Sequence, residues 1–176
     1  MKENLRRILD ELAALIDEVD PKPIDAAIEE IRTARRIFIA GIGRSGLMAR
    51  AFAMRLTHLG LDVHVVGETT TPQIGEGDLL ICCSRRGESG SQQHFIDLAH
   101  GAGARAALFT ASADSTVSSL ADVVVVLPHP TVPPSQPLGT LFEQMLLLLL
   151  DALVVRLMAD LNIDEAAMQR KHTSLE

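Results

Sequence analysis

Glycines, hydroxyls and arginines gather in two short stretches of the chain. The first is Gly41-Ile42-Gly43-Arg44-Ser45-Gly46, placed after the apolar run Ile37-Phe38-Ile39-Ala40 and before a helical pattern of Leu47, Ala51, Met54 and Leu56. A strand, a glycine turn and a helix start make a local geometry that binds phosphate. Glycines let the backbone approach the ligand, and the first helical turn offers unpaired N–H groups and a positive dipole end. Ser45 adds a hydroxyl and Arg44 a charge. The second stretch, Ser84-Arg85-Arg86-Gly87-Glu88-Ser89-Gly90, repeats the pattern after the apolar run Leu79 to Cys83. Ser84, Ser89 and Ser91 can donate to phosphate oxygens, and Arg85 or Arg86 can add charge. One serine-rich loop is usually a helix cap. Two such loops on neighbouring strand ends suggest a phosphomonoester held between them.

The same glycines, Gly41, Gly43 and Gly46, also fit the dinucleotide pattern, with Glu68 near the spacing of its ribose-binding acid. A hydride enzyme, however, needs no second phosphate cradle and usually needs a substrate domain for which no chain is left. Among acid–base candidates, Glu143 sits in the first turns of a strongly apolar helix, beside Gln144. A carboxylate there is either a surface residue that complements the helix dipole or a buried working group. His172 stands in the polar tail Arg170 to Glu176, where a lone histidine is usually solvated. His58, His64, His94, His100 and His129 show no metal-type spacing. The two cysteines, Cys82 and Cys83, are strand neighbours pointing to opposite faces, which reads as two buried thiols in a reducing compartment.

The elements that must position these groups follow from periodicity. Amphipathic helices are predicted over 2–18 and 24–34, strands over 36–40, 63–66, 79–83, 106–110 and 123–126, and helices over 45–59, 91–101, 115–120 and 138–161, with a last one from Asp164. The strands are continuous apolar runs, as in a parallel sheet covered on both faces. The expected fold is α/β: a three-layer, flavodoxin- or Rossmann-like sandwich around a five-stranded parallel sheet. The single domain spans 1–176, with N-terminal helices 2–34 and a C-terminal tail 138–176 packing on it or on neighbouring subunits. In such sheets the loops at 41–46, 67–72, 84–90 and 110–115 all fall at the carboxyl edge, where ligands bind. A net charge of -7 argues against broad nucleic-acid binding. The charged N-terminus reads as no signal peptide, and the apolar run 145–155, broken by Asp151, is too short to span a bilayer.

The blocks GIGRSGLMARAFAMRLTHLGLDVHVVGETTTPQIGEGDLLI, QPLGTLFEQ and RKHTSLE closely resemble the 6-phospho-3-hexuloisomerases of the sugar-isomerase (SIS) superfamily. The likeness runs from the first strand to the last residue. It implies a cytoplasmic homotetramer with active sites shared between subunits. It also implies interconversion of D-arabino-hex-3-ulose 6-phosphate and fructose 6-phosphate in the ribulose monophosphate pathway of formaldehyde fixation, with no metal or organic cofactor, no nucleic-acid partner and no membrane. Carried over by motif, Glu143 would be the base and His172 a proton relay or ring-opening residue, given by the same or another subunit. Gly43, Ser45, Ser84 and Ser89 would hold the phosphate. Arg44 and Arg55 would be site or interface residues, and Glu68 and Thr70 would line the sugar pocket, with Glu88 at its edge.

The family loop usually reads S-G-S-G-E-T. Arg85 here stands for its glycine, where a positive φ would be costly, and Arg86 for a phosphate-binding serine. Either the arginines bind phosphate themselves or reach a more acidic substrate, or the cradle has drifted from its function. The alternatives to the isomerase are therefore another phosphosugar isomerase, a non-catalytic phosphosugar-binding module, and a small dinucleotide-binding protein.

Overall fold

The structure is a computed structural model and describes residues 1–130 and 134–173. Two helices lead the chain, α1 (Lys2–Ile16) and α2 (Pro21–Thr33). The alternating part follows: β1 (Ile37–Gly41), α3 (Gly43–His58), β2 (Val63–Val65), β3 (Leu79–Cys83), α4 (Gly90–Gly101), β4 (Arg105–Thr110) and β5 (Val123–Val126). The long α5 (Thr140–Asp160) and the short α6 (Glu165–Lys171) close it. All five strands are parallel, in the order β2-β1-β3-β4-β5. The chain leaves β1 in one direction to make β2 and returns on the other side to make β3. The connections therefore diverge above β1 and β3, and a crevice opens at their carboxyl ends. There Gly41 is in register with Cys83.

Both sheet faces are buried, as the unbroken apolar strands require. Ile37, Ile39, Ile81 and Phe109 face the layer of α1, α2, α3 and α5, while Phe38, Leu80, Cys82 and Leu108 face α4 and the segment after β4. Cys82 and Cys83 point to opposite faces and are both free. Burial pushes the Cys82 thiol up to about 12 and the Cys83 thiol higher still. The structure fits a close contact between β1 and α3. A side chain on Gly46 would meet the Gly41 carbonyl oxygen at 2.5 Å, so both positions need glycine for the helix to pack on the strand.

Three sequence expectations are corrected, and the Arg85 backbone carries no positive-φ strain. The helix expected over 115–120 is a run of turns. Ser118 N–H donates to Ser115 Oγ, the two hydroxyls bond to each other, and Ser118 Oγ donates to Ser112 O, so serine side chains take the partners a helix would give the backbone. α2 starts at Pro21 rather than 24, because Asp20 accepts from Lys22 N–H and proline suits the first helical position. On α3, Leu56 is buried, but Leu47 and Met54 are exposed; Ala49, Phe52 and Ala53 make the core face instead. Arg85 needs no positive φ, since Leu138 and Asn162 are the non-glycine residues with one among those described. No described helix is long and apolar enough to cross a membrane.

Candidate functional site

A cleft of about 470 Å³ lies at the carboxyl ends of β1 and β3. It brings together Ser45, Ser84, Arg86, Glu88, Ser89 and Glu143 from three separate parts of the sequence. Gly43, with φ +60°, turns the chain from β1 into α3 and sets Ser45 in the first turn, nearly buried. Glu143 enters from the first turn of α5, with its side chain 14% exposed. Arg44 Nε lies 2.6 Å from Glu143 Oε2. The approach is off the hydrogen-bond axis, so this is a charge contact, and the buried Oε2 has no hydrogen-bond donor.

The 84–89 loop is held from below. Gly87 has φ +65°, and a Cβ there would overlap the Ser115 side chain, so the loop sits directly on the turns after β4. Ala111 N–H donates to Arg85 O and Val117 N–H to Gly87 O. Ser84 Oγ accepts from Gly87 N–H at 3.2 Å, which makes it a cap for the turn as well as a cleft residue. The Glu88 carboxylate accepts from the Thr116 hydroxyl at 2.9 Å and is thereby drawn away from its arginine neighbours. Arg85 and Arg86 form no salt bridge among the described residues, and the Arg85 side chain lies against Gly139 at the start of α5. The loop therefore presents two guanidinium groups without a carboxylate partner next to three serine hydroxyls. That combination suits an anionic oxygen cluster.

The remaining expected residues lie outside this cleft. Glu68 pairs with Arg50 of α3 beyond the end of β2, and Thr70 is exposed in the turn that follows. Arg55 is exposed near the other end of α3. His172 stacks on His58, ring centroids 5.0 Å apart, and Lys171 beside it packs over Gly60. His58 ends the helix whose first turn carries Ser45; 13 residues at about 1.5 Å each put the tail about 20 Å from the cleft of its own chain. Arg44 is thus separated from Arg55: one touches the cleft acid and the other does not. Ser174 to Glu176, part of the motif ending, and Thr131 to Pro133 of the proline-rich loop lie outside the described residues. No group of three or more His, Cys, Asp or Glu side chains among the described residues could hold a metal ion.

The model of the SIS domain family matches residues 30–156, which contain every lining residue of the cleft. The chain belongs to the SIS domain family. Among SIS relatives, a protein of Mycobacterium gastri named 3-hexulose-6-phosphate isomerase is 39% identical over 98% of this chain and 90% of its own. A Bacillus subtilis (strain 168) protein of the same name is 38% identical, covering 99% of this chain and 98% of its own. A crystal structure of a hypothetical protein from Methanococcus jannaschii, for which a function of 3-hexulose-6-phosphate isomerase has been inferred, matches with TM-score 0.87 and 34% identity over 99% of both chains.

Among the lining residues that the sequence did not point to, Gln92 is polar; Ile42, Cys83 and Leu138 are apolar or a buried thiol. Gln92, in the first turn of α4, is 1% exposed and donates through Nε2 to Cys83 O at 3.0 Å. A signal for it exists. Gln92, Ile96 and Ala99 fall on one helical face, and the last two are fully buried. A polar residue at a core-facing position is a local inconsistency of the kind that functional sites produce.

Proposed function

We propose that this SIS protein is a phosphosugar isomerase, and specifically that it interconverts D-arabino-hex-3-ulose 6-phosphate and fructose 6-phosphate. The observation that carries the reading is the meeting of a nearly buried carboxylate, Glu143, with a serine- and arginine-bearing loop in one cleft at the switch point of the sheet. The names of relatives matched over nearly the whole chain support it. In this reading Ser45, Ser84, Ser89 and Arg86 hold the phosphate. Glu143 removes the proton from C2, next to the C3 carbonyl, and the C2–C3 enediol forms. The same carboxyl returns the proton to C3 while the hydroxyl proton of O2 passes to O3, which leaves the carbonyl at C2. Arg44, in contact with the base, is placed to stabilise the charge that develops on those oxygens. No step requires a metal or an organic cofactor.

Isomerase assays of the purified protein without added metal test this. Glu143→Gln is expected to lower kcat/KM by about 10² to 10⁴, the usual range for a lost acid–base group. Full activity in that variant removes Glu143 from the role.

The reading extends to a homo-oligomer, a tetramer by family resemblance, in which His172 serves the cleft of a neighbouring subunit. Exposed apolar residues support association: Leu5, Leu9 and Ile16 on α1, Leu47 and Met54 on α3, Leu148 and Val155 on α5. Mixing inactive Glu143→Gln and His172→Ala chains after partial unfolding is then expected to restore activity, because hybrid clefts regain both groups. No recovery would return His172 to a purely structural role. We place the enzyme in the cytoplasm, in the ribulose monophosphate route, where its two free thiols stay reduced.

A further inference from the structure

Four buried side-chain polar atoms among the described residues lack a hydrogen-bond partner, and two of them, Gln92 Oε1 and Glu143 Oε2, belong to residues lining the one cleft. Native proteins leave few such atoms. We propose that Gln92 accepts a hydrogen bond from a sugar hydroxyl and that this contact sets which phosphosugar the cleft admits; the proposal rests on the isomerase reading above.

The amide has two ends with separate tasks. Nε2 must be the end facing Cys83 O, because a carbonyl needs a donor, so the assignment of nitrogen and oxygen follows from the partner. This bond ties α4 to the last residue of β3, immediately before Ser84. It leaves Oε1 as a fixed acceptor with nothing to accept. An apolar side chain would suit the same core-facing position without that cost. What Oε1 lacks is therefore a donor. A phosphate dianion cannot be that donor, since its oxygens only accept. A sugar hydroxyl can. Gln92 lines the same cleft as Ser84, Ser89 and Glu143, so on the isomerase reading its partner is a hydroxyl on the carbons between the phosphate and the reacting pair. A site built around such a hydroxyl rejects analogues that lack it far more strongly than a greasy pocket rejects a missing methylene.

The test compares kcat/KM for the hexulose phosphate with kcat/KM for analogues lacking one hydroxyl between the phosphate and the reacting carbons. It uses the wild type, Gln92→Met and Gln92→Glu. The wild type is expected to discriminate against one deoxy analogue by on the order of 10²-fold or more, and Gln92→Met to lose that discrimination to within about threefold. Gln92→Glu, which keeps an acceptor, is expected to retain most of it. The ratio does not depend on how much enzyme is folded, and Gln92→Glu, which loses the donor to Cys83 O but keeps an acceptor, separates loss of that tie from loss of the acceptor. Equal discrimination in wild type and Gln92→Met, or none in the wild type, overturns the proposal and leaves Gln92 as a tie between helix and strand. If the wild type turns over none of these sugars, the isomerase reading fails by itself. The same ratio taken from calorimetric Kd values then decides the role of Gln92.

Discussion

Strand β3 has a buried carboxylate before its first residue and a nearly buried one beyond its last, and the two are surrounded in opposite ways. Asp78, on the amino side, has a fully buried side chain. It accepts from Arg35 Nε and Nη2, from Arg36 Nε and Nη2, the last at 2.7 Å, and from Gly75 N–H at 2.8 Å. Glu143, on the carboxyl side, has one guanidinium in contact off axis and a buried oxygen with no donor. Both ends set a carboxylate against arginine. At one end every lone pair is used, and the result fixes the start of β3. At the other, acceptor oxygens are left without donors, which suits the hydroxyls of the proposed sugar substrate. Saturated hydrogen bonding marks the structural end, and the end proposed for catalysis is the one left unsaturated.

The contrast can be broken by paired substitutions. The largest expected effect is on chemistry: Glu143→Gln lowers kcat/KM by about 10² to 10⁴ while thermal unfolding moves little. Asp78→Asn does the reverse. Removing a buried ionic partner costs roughly 3 kcal/mol here, the low end for buried pairs because the Arg35 side chain is 58% exposed. For a chain of this size that is a fall in Tm of about 6–12 °C, with kcat/KM per folded molecule unchanged. A hundredfold loss of activity in folded Asp78→Asn would merge the two ends and defeat the comparison.

A pH series sharpens it. Burial alone would raise the Asp78 carboxyl, but the hydrogen bonds from Arg36, Gly75 and Arg35 prevail and hold it below the usual aspartate range. A depressed folded pKa gives stability that is fully present above the unfolded value of about 3.9 and is lost as pH falls through the folded value. The stability gap between wild type and Asp78→Asn should therefore be constant near neutrality and narrow below about pH 4, as read from urea midpoints. The smallest effect is expected from Arg86→Ser, which restores the serine of the family loop. KM should rise by roughly tenfold or less, with a weaker dependence on salt, because a charge-assisted contact is lost while the serines remain.

Most of the scaffold was legible because its strands are unbroken apolar runs: Leu79 to Cys83 and Val123 to Val126 were bounded correctly from sequence. Two kinds of feature were not. Serine side chains at 112, 115 and 118 replace backbone partners, and helix propensity does not register that substitution. Long-range folding of the tail is equally invisible: nothing local to His172 says that its ring will rest on His58. The cleft was half legible. Ser45, the 84–89 loop and Glu143 were found by motif, whereas Gln92 was passed over because a single polar residue in a helix draws no attention until its face is known.

Because Gly41 and Gly46 touch backbone to backbone, the helix carrying Ser45 is clamped to the sheet and behaves as the fixed jaw of a vice. Neither position can accept a methyl group without prising the jaw from its mount. Divergence toward new sugars must then proceed on the opposite jaw, at positions such as 85, 86, 92 and 138. Two of these positions, 85 and 86, carry the arginines that stand out in the cleft loop.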